Sequence, residues 1–344
     1  MFHERWLVVW SVLVLALAGT GCSIKRVAIN SLADTLSASG DVFASDDDPE
    51  LIRDAVPFSL KTIESLLAEV PDHPGLLLSA CSGFTRYAYA FIQADAEIAE
   101  PDDYERSMVL RERARKMYER ATRYCLRRLD LRLPGVESAL KRAPGTALAA
   151  ATREDVPALY WTGAAWGSAI TLGLDKPEFI ADLPAPRALL SRALELDEVY
   201  EQGAIHAAMI SIAALPEELG GSAARARQHF DRAVELSKGQ SAGPYVTLAT
   251  AVALPAQDRA EFERLLNLAL AIDVDLHPGW RLANVLAQRR ARFLLSRVDD
   301  LILAGEPPAE ARLTAGDRAV VALVPRAEVW VRVPFAPVQM GSLP

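Results

Sequence analysis

The stretch RAEFERLLNLALAIDVDLHPGW at residues 259–280 decides the fold, because it combines a helical pattern with a turn into a second helix. Phe262, Leu266 and Ala269 are spaced four and three residues apart, so they lie on one face of a helix. The same spacing occurs in two earlier segments. They are ARARQHFDRAVELS, with Ala226, Phe230 and Ala233, and RARKMYERA, with Ala114, Tyr118 and Ala121. The chain therefore contains an internal helical repeat.

This spacing is typical of tetratricopeptide repeats, in which small residues let the two helices of a hairpin approach and bulky residues fill the gap between hairpins. Each hairpin alone leaves an apolar face exposed, so neighbouring hairpins must stack. We therefore predict an all-α fold, a degenerate TPR-like solenoid of helical hairpins over residues 22–304. Repeats of roughly 34 residues give about four to five hairpins, with several extra helices.

Composition excludes several classes of protein. Of the 344 residues, 51% are apolar, which is enough to form a core and excludes a chain that is disordered over most of its length. The net charge of −8 argues against nucleic acid as a partner, since phosphate binding needs clustered Lys and Arg. The catalytic and phosphate-binding motifs G-x-S-x-G, H-E-x-x-H, the P-loop and C-x-x-C do not occur in the sequence. We predict a protein that is not an enzyme and uses no cofactor or metal.

The N-terminus has the pattern of a lipoprotein signal peptide. Residues 6–18 are a short apolar run, which is typical of a signal sequence and too short to span a bilayer. The following GTGC at residues 19–22 resembles a bacterial lipobox, in which the cysteine is acylated after cleavage. We predict a signal peptide at residues 1–21 and a lipid anchor on Cys22; the alternative is an ordinary secreted protein. Because Ser23 is not aspartate, the inner leaflet of the outer membrane is favoured over the inner membrane.

Two further cysteines and an acidic cluster leave alternatives open. Cys81 and Cys125 both lie in helical patterns, and two separate buried thiols are favoured over a disulfide. Asp48 precedes Pro49 as a helix N-cap would. The adjoining Asp46 and Asp47 could instead ligate a cation, although no glycine turn or distant glutamate completes a calcium site.

The C-terminal segment differs from the rest of the chain. Residues 305–344 alternate apolar and polar positions and contain Pro325, Pro334, Pro337 and Pro344. Proline removes a backbone donor, so no long helix continues through this segment. We predict a non-helical tail, either extended or forming a lone pair of strands.

The first helix of each tetratricopeptide hairpin lines a concave groove, and the repeat register places particular residues there. Arg281, Gln288 and Arg289 face inward if Trp280 is position 4 of the repeat, and Arg86 and Trp166 face inward in two earlier hairpins. A groove with arginines and aromatic rings could bind a carboxylate. The alternative is that the arginines are solvated or paired with acids and that Trp166 is a core residue.

Several long blocks resemble the T component (TatT) that accompanies tripartite ATP-independent periplasmic (TRAP) transporters. The resemblance covers residues 22–303, and two blocks carry it clearly: LYWTGAAWGSAI at 159–170 and WRLANVLAQRRARFLLSRVDDL at 280–301. The resemblance implies a periplasmic lipoprotein, a homotrimer with a pore or cavity, and association with the substrate-binding P component. The ligand or partner residues that we predict in the two blocks are Tyr160, Trp161, Trp166, Arg281, Asn284, Gln288 and Arg289, to which the groove adds Arg86.

The resemblance further implies a role in the uptake of small anionic or hydrophobic molecules, with a ligand passing through or near the cavity. The alternative from another class is a scaffold lipoprotein that assembles envelope or secretion machinery and handles no small molecule.

Overall fold

The computed structural model describes residues 29–31, 34 and 40–303 of the chain. These residues form an all-α fold without a β-strand in the described ranges, which confirms the predicted fold class. The helices are α1 (Gly40–Ala44), α2 (Pro49–Glu69), α3 (Pro74–Tyr87), α4 (Ala94–Ala99), α5 (Tyr104–Asp130), α6 (Val136–Arg142), α7 (Pro144–Ala147), α8 (Val156–Thr171), α9 (Pro177–Asp182), α10 (Pro184–Leu196), α11 (Ala204–Ala213), α12 (Ala223–Leu236), α13 (Gly243–Leu248), α14 (Arg259–Leu270), α15 (Arg281–Ser296) and α16 (Val298–Leu301).

Helix starts follow from capping side chains. Asp48 accepts hydrogen bonds from the backbone N–H groups of Glu50 and Leu51, which confirms it as the N-cap of α2. Asp46 accepts from the Asp48 N–H at 2.8 Å, so this acid stabilises the turn before the helix. Ser222 caps α12, because its hydroxyl accepts a hydrogen bond from the Arg225 N–H. Within residues 29–31, 34 and 40–303 there is no group of three or more metal-ligating side chains.

The helices pack as successive hairpins. Helix α3 packs on α5, α8 on α10, α11 on α12, and α14 on α15. The small and bulky residues of the repeat lie inside these contacts: Ala114, Tyr118, Ala121, Ala226, Ala233, Phe262, Leu266 and Ala269 are buried, and Phe230 is partly buried. Burial of these side chains at the hairpin contacts is what the repeat spacing predicts.

The array closes on itself, because the last long helix returns to the first ones. Helix α15 contacts both α1 and α2. Leu282 of α15 is fully buried in the core that α2, α3 and α8 share. The surface between α15 and the N-terminal helices is called the seam below. A repeat pattern alone does not predict this closure, since it describes contacts between neighbouring hairpins only.

Cys81 of α3 and Cys125 of α5 form a disulfide, with their Cα atoms 5.0 Å apart. The expectation of two separate thiols was therefore wrong. Both residues are fully buried, and they face each other where α3 packs on α5. Helical patterning showed that each cysteine is buried but not that the two buried faces oppose one another.

No helix among the described residues is both long and apolar enough to cross a bilayer. The predicted signal peptide at residues 1–21, the acylated Cys22 and the non-helical tail at 305–344 lie outside the described residues.

Candidate functional site

Helix α8 carries the aromatic block that the resemblance singled out. Tyr160 and Trp161 are fully buried, with their rings 5.1 Å apart, and Tyr160 also contacts the ring of Tyr200 at 5.4 Å. Trp166 is 6% exposed and lies 5.9 Å from the Lys141 amine. All three predicted aromatic residues therefore pack inside the helical array, where a ligand would reach them only through a cavity.

Arg86 joins this aromatic block from helix α3. Its guanidinium carbon lies 4.5 Å from the centre of the Trp161 ring, which is the distance of a cation–π contact. The indole N–H of Trp161 is buried without a hydrogen-bond partner in the described part of the chain. Arg86, Tyr160 and Trp161 are thus brought together, whereas Trp166 lies apart from them beside Lys141.

The side chains of the four predicted residues of α15 are engaged within the protein. Asn284 accepts from the Ala242 N–H at 2.9 Å and donates to the Gln240 carbonyl at 2.9 Å. The Gln288 amide donates to the carbonyl oxygens of Ala269, Leu270 and Ile272, where α14 ends. Because the last carbonyls of a helix lack partners within that helix, this amide stabilises the end of α14.

The two arginines of this group pair across the array. Arg281 donates to the Ser45 carbonyl at 3.2 Å and forms an ion pair with Asp275 at 2.8 Å. Arg289 forms an ion pair with Glu50 at the start of α2 and remains half exposed. The contacts with Ser45 and Glu50 connect α15 to the N-terminal end of the array. A role for these four residues in ligand or partner binding stays a prediction.

A cavity of about 230 Å³ lies beside Arg86, between α2 and α3. We call it the α2–α3 cavity. Phe43 and Ala44 of α1 and Leu282 of α15 complete its walls. Its other lining residues are Ile52, Val56, Phe58, Ser59, Leu60, Thr62, Ile63, Ser79, Ser82, Gly83, Arg86, Tyr87 and Phe91. Arg86 is the one residue with a charged side chain among these described lining residues.

A second, smaller cavity of about 70 Å³ lies at the seam. Its charged side chains are paired: Arg290 donates to both Glu97 oxygens at 2.8 and 2.9 Å, and Arg53 donates to both Asp95 oxygens at 2.6 and 2.9 Å. Arg290 also donates to the Tyr89 hydroxyl at 3.2 Å. Burial lowers the pKa of Arg290, but the neighbouring Glu97 carboxylate raises this pKa by a larger amount. The net pKa is raised, so the guanidinium stays charged.

A π-helical segment, Ala88–Gln93, borders both cavities. Its Phe91 lines the α2–α3 cavity, and its Tyr89 and Gln93 line the seam cavity. Such wide helical turns are rare and occur frequently at functional sites. The sequence gives no sign of this segment, because it continues the apolar pattern of α3 without a break.

The sequence analysis also missed a pair of histidines in the hairpin that α11 and α12 form. The Nδ1 atoms of His206 and His229 are 2.9 Å apart, and the Nε2 atom of His206 lies 3.3 Å from Glu198. Burial lowers the pKa of His206 and lowers that of His229 to about 4. Both rings are therefore neutral at pH 7. The two histidines are 23 positions apart, and only the packing of α11 on α12 brings them together.

The fold and its cavities describe a class of protein: a closed array of helical hairpins with a buried disulfide between two helices and a mainly apolar cavity between α2 and α3. The family model of the TRAP transporter T-component matches residues 45–302, and the chain belongs to this family. The chain is also similar to an uncharacterized protein of Treponema pallidum (strain Nichols), with 33% identity over 305 residues that cover 82% of this chain and 94% of the relative. The family consists of periplasm-associated accessory components of TRAP transporters and is not a known enzyme family.

Proposed function

We propose that the protein is a lipid-anchored periplasmic accessory component that docks the substrate-binding P component of a TRAP transporter. Membership of the T-component family over residues 45–302 is the observation that carries this proposal. Cys22 supplies the anchor, on the periplasmic face of the outer membrane in preference to the inner membrane. The chain acts as a homotrimer, and a small anionic or hydrophobic ligand is handled inside the helical array.

The Cys81–Cys125 bridge supports export of the chain. Disulfides persist in oxidising compartments such as the bacterial periplasm and are rare in the cytosol. A folded domain held by a lipidated residue near its N-terminus would face the periplasm, where the P component carries substrate. Doubly or triply acylated cysteine would hold it there firmly, since each buried methylene contributes about 0.8 kcal/mol.

Exposed apolar side chains offer a way to locate the contact with the P component. Tyr104 and Met108 are four residues apart on α5 and therefore share a face. Tyr104 is 63% exposed, and Val109, which follows Met108, is 69% exposed. Exposed apolar clusters often mark interaction sites. We place the P component on this face, which we call the α5 face.

Capture of the cognate P component by the chain from residue 22 onward, carrying Cys22→Ala, tests the proposal. We expect the P component to be recovered, and Tyr104→Glu to weaken its binding about tenfold or more, which corresponds to one strong interface contact. The matched control is Leu268→Glu, which changes another exposed apolar side chain on α14.

Sedimentation of the same variants separates the outcomes. Loss of the trimer by Tyr104→Glu, with P-component binding retained, would assign the α5 face to self-association instead. If the P component is not captured while envelope assembly proteins are, the transport role is refuted and the scaffold role replaces it.

A further inference from the structure

Helix α5 carries an excess of positive charge, although the chain as a whole is acidic. The helix contains nine Arg and Lys residues against four Asp and Glu residues, whereas the net charge of the chain is −8. Five of these cations follow one another at alternating spacings of three and four residues, which keeps them on one face of the helix. We call this face the basic stripe; its members are Arg113, Lys116, Arg120, Arg123 and Arg127.

The basic stripe lies on the outside of the helical array. All five of its members are exposed to solvent. The other side of α5 packs into the array through buried residues such as Ala114, Tyr118 and Cys125. The stripe extends over 14 residue steps, which is about 21 Å at the rise of an α-helix. The protein therefore presents a straight row of cations on its surface.

Neighbouring carboxylates neutralise only part of this charge. Arg113 and Arg123 form no ion pair with any residue that the structure describes. Lys116 and Arg120 each lie near one carboxylate, but at 3.6 and 3.7 Å, which is too long for a hydrogen bond. Exposed pairs of this kind contribute little, so an anionic partner would not have to displace strong internal contacts.

The C-terminal end of the stripe lies beside the place where the N-terminal segment contacts the array. Arg127 donates to the Pro71 carbonyl at 2.6 Å, in the turn between α2 and α3. In the same turn, the Nε2 atom of His73 lies 3.3 Å from the Asp34 carboxylate. Asp34 is 12 positions after Cys22, and 12 residues span at most about 40 Å. An acyl chain on Cys22 would therefore hold a membrane within reach of this end of the stripe.

A membrane is the anionic surface that a lipid-anchored chain meets. Anionic phospholipids give a bilayer a negative surface potential, which attracts Lys and Arg side chains within a Debye length of roughly 8–10 Å. A row of cations about 21 Å long matches an extended flat surface better than it matches one small anion. A second copy of the chain is a poor partner through this surface, since two basic stripes repel each other.

We propose that the basic stripe lies against the anionic phospholipid surface of the membrane that holds the anchor, with the axis of α5 parallel to the bilayer. This inference rests on the lipid anchoring in the proposed function and adds an orientation to it. The residues of the α5 face, 104–109, lie N-terminal to the stripe, so the P component and the lipid surface use different parts of the helix.

Cosedimentation with lipid vesicles tests the inference. The chain from residue 22 onward, carrying Cys22→Ala, is suitable because it has no acyl chain of its own. We expect it to bind vesicles of phosphatidylcholine and phosphatidylglycerol in equal parts, and not vesicles of phosphatidylcholine alone. Raising the salt concentration from about 0.1 M to about 1 M shortens the Debye length from about 10 Å to about 3 Å and should release the protein.

Charge-neutralising variants assign the binding to the stripe. Arg113→Gln/Arg123→Gln should weaken binding to the mixed vesicles about 25-fold, since each basic side chain near an anionic surface contributes about fivefold. The matched control is Arg264→Gln/Arg292→Gln, which removes the same charge from exposed positions on α14 and α15 and should leave binding unchanged. Glutamine has nearly the helix propensity of arginine, and circular dichroism establishes that each variant is folded.

Three outcomes would overturn the inference: equal binding to both kinds of vesicle, unchanged binding by the stripe variant, or an equal loss in the control. Loss of P-component capture by the stripe variant, with vesicle binding kept, would also overturn it and assign the stripe to an acidic protein surface. Capture of the P component by the parent protein is the independent readout. Vesicle binding without capture refutes the docking function alone, and capture without vesicle binding refutes this inference alone.

Discussion

Opening the Cys81–Cys125 bridge removes a constraint on the unfolded chain, and the size of the effect follows from the loop that the bridge closes. The two cysteines are 44 positions apart. When the bridge is opened, the unfolded chain regains conformational entropy. For a loop of this length, that entropy is worth about 4 kcal/mol. This is a large share of the stability of an ordinary domain, about 5–15 kcal/mol.

Equilibrium unfolding in urea, followed by far-ultraviolet circular dichroism, measures the effect. The oxidised protein and the protein reduced with a phosphine are compared first, because their sequences are identical. We expect the free energy of unfolding to fall by about 4 kcal/mol on reduction. Its urea dependence should rise, since the unlinked unfolded chain exposes more surface.

The double variant Cys81→Ala/Cys125→Ala is the control for the chemistry of the reductant. Alanine is suitable because both positions are fully buried, where a serine hydroxyl would need a partner. The variant should be insensitive to the phosphine. Two titratable thiols in the unreduced native protein, or a change on reduction below about 1 kcal/mol, would refute the reasoning.

Two further predictions concern the histidine pair and the amide at the end of α14. The pKa of His229 falls from 6.5 in the unfolded chain to about 4 in the folded protein, so only the unfolded chain takes up this proton between those pH values. Stability should therefore decrease as the pH falls from 6.5 towards 4, by at most about 3 kcal/mol and less because His229 is partly exposed. Gln288→Met leaves the carbonyls of Ala269, Leu270 and Ile272 without this donor and should cost about 1–3 kcal/mol in urea unfolding.

Matched variants define what would contradict these two predictions. His229→Asn should reduce the pH dependence between pH 6.5 and 4, and the lowered pKa of His206 should account for part of what remains. An unchanged slope would mean that another group is responsible. Gln288→Glu keeps the size of the side chain but replaces a donor with an acceptor, so it should be less stable than Gln288→Met. A Gln288→Met variant of full stability that loses affinity for a ligand or for the P component would instead assign Gln288 to binding.

Local sequence patterns predict the parts of this structure that depend on local physics. The cap at Asp48 and the buried faces marked by Phe262 and Ala269 follow from hydrogen-bond geometry and helical spacing. These patterns do not show which helix packs against each buried face. Glu97 and Arg290 are 193 positions apart, and each reads in the sequence as an ordinary charged residue on a helix.

The repeat register shows the same limit at the candidate site. It placed Gln288 and Arg289 on an inward face, as in an open solenoid whose groove is free. In the closed array Gln288 is buried against the end of α14, and Arg289 reaches Glu50 across the seam. Of the predicted residues, Arg86 lines the α2–α3 cavity and Arg289 lines the smaller cavity at the seam.

Closure also bears on the two functional alternatives. A scaffold of helical repeats binds extended partners along an open concave groove. Here the seam joins the ends of the array through the part-buried pair of Arg290 with Glu97 and through Arg281 with the Ser45 carbonyl. Opening the array would break these contacts and expose Leu282, which is fully buried, to water, so the array is not expected to open readily for a peptide. We therefore expect a protein partner to bind the outer surface and only small molecules to enter a cavity, which favours the transport role over the scaffold.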